Sequence, residues 1–146
     1  MKSRKLRATL IRSKLAEIEE SIELVSEHIP EGFEDFSRLG LVKDGIYKRT
    51  EFAIENVFDI CAIINSDLML EMPENEEDII ENLAYKDILN KEMAEKLRRM
   101  KGFRNIVVHR YGKIDDRIAY SILRTNHDDF YTFTEMIEDF LKSKGC

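Results

Sequence analysis

The sequence has little that would stop a helix. Two prolines and six glycines punctuate 146 residues, and no Asn-Gly or Asp-Gly pair stands between alternating apolar and polar runs, the arrangement a tight hairpin needs. Long apolar runs are also missing. None approaches the ~20 residues that span a bilayer as a helix, and the opening MKSRKLRATLIRSK holds no apolar segment of secretory type. The expectation is therefore a cytoplasmic protein. Cysteine occurs twice, as Cys61 inside an apolar run and as Cys146 at the end, which excludes a disulfide framework and leaves two reduced thiols. Paired metal ligands are absent as well: His28, His109 and His127 share no ligand spacing, and no Cys/His cluster exists. A metal site is the poorer reading.

What is present is a charged, moderately apolar chain. With 43% apolar and 36% charged residues, it is neither disordered nor a membrane protein. Residues 1–146 are long enough for a single domain, which at this size buries roughly two-thirds of the surface its unfolded chain exposes. Net charge is −6, unevenly spread. Residues 1–14 hold six Lys/Arg and no acid, residues 91–124 hold ten Lys/Arg against four acids, and the remainder sums to −18. Overall charge argues against nonspecific nucleic-acid binding, but the two basic segments are locally suited to phosphate. The simpler account of such runs is a solvated helix face.

The periods are helical. Leu15, Ile18, Ile22, Val25 and Ile29 follow three-four spacing and predict a first helix that stops at Pro30. A second helix is predicted from about Thr50 to Leu70, apolar almost all round. Pro73 separates it from a shorter one near Glu76–Leu89. Asn90 can cap the next, KEMAEKLRRM, which is expected to run on to about His109. Asp115 or Asp116 can cap a last helix carrying Ile118, Ile122, Phe130, Phe133, Ile137 and Leu141. The fold class is all-α, a bundle of about five helices. Phe52, Phe58, Ile60, Ile63 and Ile64 point several ways from the second helix, so either a symmetric homodimer or a monomeric core must cover them.

The stretch GFRNIVVHRYG, residues 102–112, concentrates polar chemistry. Arg104 and His109 are about 140° apart on one regular helix, so a single helix does not bring them face to face. Asn105 and His109, four apart, share a face. Gly112 suggests a left-handed cap that ends the helix beside Tyr111. A neutral imidazole can take a proton from a hydroxyl or return one to a leaving oxygen, and a guanidinium binds phosphate and stabilises charge developing on it. Together they suit cleavage of RNA, whose 2′-hydroxyl supplies the nucleophile that DNA lacks, without a metal or other cofactor. Histidine and arginine at a helix C-terminus also favour the dipole with no catalytic role, and that reading stays open.

KGFRNIVVHRYGKID, moreover, resembles the signature of HEPN domains, specifically the HepT-type toxin family: an arginine, four residues, a histidine, one residue, a tyrosine. Arg104, Asn105, His109 and Tyr111 stand at those positions. YKRTEFAIENVFDICAIINSD, the acidic linker helix, EKLRRMKG and DDRIAYSILRTNHDDFYTF resemble the corresponding family segments, so the likeness covers most of the chain. It implies a HEPN-like helical bundle forming a homodimer, with the two motifs meeting in a cleft. It also implies a metal-independent endoribonuclease, with Arg104 and His109 catalytic, acting as the toxin of a toxin–antitoxin pair. The implied partner is a nucleotidyltransferase antitoxin of the MntA type, which silences the toxin by transferring AMP to the motif tyrosine, here Tyr111. The family often places a polar residue of the second long helix near the motif, so Asp59, and Glu55 one turn earlier, are the candidates for orienting Arg104 or His109. The reading from another class is a helical module that binds a nucleotide or the transferase and cleaves nothing. A third is a dimer in which the motif only caps a helix.

Overall fold

A computed structural model of the chain describes residues 5–109 and 114–146, the side chains of Val108 and His109 excepted. Seven helices and no strand occur among the described residues: α1 Ala8–His28, α2 Phe33–Ser37, α3 Leu41–Asp67, α4 Glu76–Tyr85, α5 Lys91–His109, α6 Asp116–Asn126 and α7 Asp128–Ser143.

The apolar stripe of α1 comes from Ile11, Leu15, Ile18, Ile22 and Val25, all buried. It lies along α3, and this is the most extensive helix pair in the fold. The two run antiparallel, because Arg7 reaches Asp67 at 2.9 Å and Lys14 reaches Asp59 at 3.3 Å. The extended backbone of Ile29 ends α1, as the residue before a proline is disposed to do. The chain enters α3 through Gly40, whose φ of +62° and ψ of −123° suit only glycine. At 27 residues α3 is the longest helix, about 40 Å from end to end. It also carries Cys61, fully buried, whose thiol pKa is pushed up by that burial and then by the nearby Glu76 carboxylate.

The expected bundle of about five becomes seven helices among the described residues, for two local reasons. The segment after Pro30 contains the single turn α2, which seats Phe36 among Tyr47 and Tyr120, with ring centroids 5.8 and 4.9 Å away. One turn has no period to detect. The expected last helix divides at His127, which closes α6 and opens α7 while its own backbone stays helical at φ −63° and ψ −28°. The second helix begins at Leu41 rather than near Thr50, because Ile46 and Tyr47 already face the core. Asn90 does cap α5, its Oδ1 accepting from the Met93 N–H at 2.7 Å. Asp115 caps α6, accepting from the Arg117 and Ile118 N–H groups.

Much of the apolar excess on α3 is absorbed by this chain's own core. Phe58, Ile60 and Ile64 are at most 3% exposed, whereas Phe52 remains 41% exposed. No described helix is long and apolar enough to cross a membrane.

Candidate functional site

Met93, Ala94, Leu97, Met100 and Phe103 form the buried stripe of α5. Arg104 follows Phe103 and so stands at the edge of the core, its side chain 12% exposed, where α3, α4 and α5 converge. Its guanidinium meets two carboxylates. Nη1 donates to Glu76 Oε2 at 2.9 Å and Nη2 donates to Glu76 Oε1, a two-pronged pairing. Nη1 also donates to Glu55 Oε1 at 3.4 Å. Phe58 lies beneath, its ring centroid 5.2 Å from Arg104 Cζ, close enough for a cation–π attraction.

The electrostatics follow from the pairing. The hydrogen bond from Arg104 holds the Glu76 carboxyl below its ordinary range; partial burial opposes this, and the charges of Arg104 and Lys101 add to it. The same hydrogen bond raises the guanidinium pKa, so Arg104 stays charged. Three neighbouring cations of α5 are also matched. Arg98 pairs with Glu77 at 2.7 Å and Glu95 at 2.5 Å, Lys96 with Asp129 at 3.5 Å, and Arg99 with Asp129 at 3.7 Å. The basic segment that looked suited to phosphate is thus partly neutralised by acids of α4 and α7, which sequence-wide charge counting does not reveal.

Of the two carboxylates considered on α3, Glu55 lies against Arg104, while Asp59 turns to Lys14 at 3.3 Å. Asn105 is exposed on α5, next to Arg104. Helix α5 runs through His109 as expected. The His109 imidazole, Tyr111 and the Gly112 cap lie outside the described residues. Beyond them the chain is pinned at Asp116, which accepts from Lys43 Nζ at 2.7 Å and Tyr47 Oη at 2.5 Å.

The family model described as "Ribonuclease HepT-like" matches residues 18–137. The chain belongs to that family. A HepT-like protein of Shewanella oneidensis named "mRNA nuclease HepT" is 25% identical over 88% of this chain and 96% of its own. A protein of Archaeoglobus fulgidus provisionally named an RNase is 30% identical, again over 88% of this chain, and over 92% of its own. Among solved structures, a tri-AMPylated HEPN toxin of Shewanella oneidensis in complex with an MNT antitoxin superposes with a TM-score of 0.80. It covers 88% of this chain and 96% of that one at 24% identity, which shows the HepT-like fold.

The residue that sequence reasoning missed in this HepT-like chain is Glu76. It lies 28 positions from Arg104 in a run of three acids at the start of α4. Acids in a first helical turn are ordinarily explained by the helix dipole, so nothing local distinguishes the carboxylate that crosses to α5 from its neighbours.

Proposed function

We propose that this protein is a metal-independent endoribonuclease of the cytoplasm, the toxin of a HepT/MntA-type toxin–antitoxin system. The His109 imidazole takes the proton of an RNA 2′-hydroxyl, the 2′-oxygen bonds to the adjacent phosphorus, and the bond from phosphorus to the 5′-oxygen breaks as a His109 imidazolium returns a proton to that oxygen. Arg104 balances the charge that builds on the phosphoryl oxygens. The product ends are a 2′,3′-cyclic phosphate and a 5′-hydroxyl. Because Arg104 and His109 diverge on one helix, a homodimer gathers the second copy of each across a cleft, with Asn105 at its edge.

The observation carrying this reading is Arg104 itself. In a chain of the ribonuclease HepT-like family, the motif arginine is fixed by Glu76, Glu55 and the Phe58 ring rather than left free in solvent. Silencing fits the same chemistry. An MntA-type nucleotidyltransferase that transfers AMP to Tyr111 sets an anionic phosphate beside Arg104 and His109 and cancels the positive potential meant for RNA. A relative in fold is tri-AMPylated and bound to such an antitoxin.

The test is cleavage of RNA by the purified chain in the presence of EDTA. Cyclic phosphate ends are expected, and His109→Ala should lower the rate about 10²-fold or more. Full activity in His109→Ala would remove the proposed base.

A further inference from the structure

We infer that Glu76 is a positioning residue for the phosphate-binding guanidinium: it grips the Nη1–Nη2 edge of Arg104 and leaves the Nε–Nη2 edge to RNA. This rests on the ribonuclease reading above and deepens it.

A guanidinium carries five N–H donors in a flat fork. In Arg104, three are engaged: two with Glu76 and one with Glu55. Among the described residues, the two donors that remain are one on Nε and one on Nη2. They lie side by side on a single edge, which is the other geometry in which arginine takes an oxyanion through two hydrogen bonds. The Phe58 ring lies against the same guanidinium, its centroid 5.2 Å from Cζ. A phosphate therefore does not have to expel Glu76; it completes the set of five.

Glu76 is itself tightly placed. It is the first residue of α4, whose N-cap Asn75 accepts from the Asp78 N–H at 2.9 Å. The Asp78 carboxylate in turn accepts from the Glu74 N–H at 2.9 Å. Glu77, the next residue, pairs with Arg98 of α5 at 2.7 Å. The first turn of α4 is thus locked locally and fastened to the helix that carries Arg104. A side chain of ordinary freedom would let the guanidinium swing, and small misplacements of a charge-stabilising group are costly in rate.

The opposite role is that Glu76 competes with phosphate for Arg104. The two are separated by steady-state cleavage of a labelled single-stranded oligoribonucleotide of mixed sequence. Glu76→Gln sets an amide N–H against the guanidinium and breaks the fork at constant size. We expect kcat to fall about tenfold or more with KM within about threefold of wild type. Glu138→Gln, which removes a comparable ion pair with Arg12 elsewhere, should leave kcat unchanged. If Glu76→Gln does not fold, Glu76→Asp, which withdraws the carboxylate by one methylene, carries the same expectation. A rise in kcat/KM would overturn the inference and make Glu76 a competitor of RNA. Unchanged kcat in a folded variant would overturn it too. Absence of cleavage by the wild-type chain would instead remove the ribonuclease reading, and this inference with it.

Discussion

Arg104 is held by Glu76 from α4 and Glu55 from α3, partners that its own segment of chain does not choose. Glu55 and Asp59 sit one turn apart on the same side of α3, and either could have met it. The choice is made by α1, whose Lys14 draws Asp59 away, and by the arrival of Glu76 from α4. Each depends on where distant helices dock. The pair has a pH signature. The Glu76 carboxyl is depressed below its ordinary value of 4.5 by Arg104, so the stability it contributes is fully present above that value and disappears as pH falls through the depressed one. Thermal melts should therefore find Glu76→Gln less stable than wild type near neutrality, with the gap narrowing as pH falls below 4.5. A gap that persists unchanged in acid would mean the carboxylate charge is not the source.

At the scale of elements, what could be read was whatever repeats. The stripe of α1, the cap of α5 at Asn90 and the cap of α6 at Asp115 all follow from spacing and side-chain type. The single turn α2 and the division at His127 do not, since the first is shorter than one helical period pair and the second leaves the backbone helical. The first turn of α4 is the element on which the candidate site most depends. Asn75→Ala removes its cap and should lower stability by about 1 kcal/mol in urea denaturation. It should also lower kcat, because Glu76 follows Asn75 directly. A second backbone test lies at Gly40, where any side chain meets an unfavourable φ of +62°. Gly40→Ala should cost about 1–3 kcal/mol by the same measurement.

For the whole molecule, charge and assembly are linked. The cations of α5 are mostly matched within the chain, so the potential available to RNA is narrower than a count of lysines and arginines suggests. A second copy is the simplest means of widening it. Phe52, 41% exposed, lies about 60° around α3 from Glu55, on the flank of the candidate site. Light scattering should report twice the mass of one chain, and Phe52→Asp should return it to one chain and reduce cleavage together. An unchanged mass in that variant would remove Phe52 from the contact. Finally, the fold contains its own clock. Cys61 is sealed in the middle of α3, where burial pushes its thiol pKa up, whereas Cys146 is open to solvent. A disulfide reagent should therefore react in two phases, one immediate and one waiting for the interior to breathe. The slow phase then times, with no label added by design, how often the centre of this molecule comes apart.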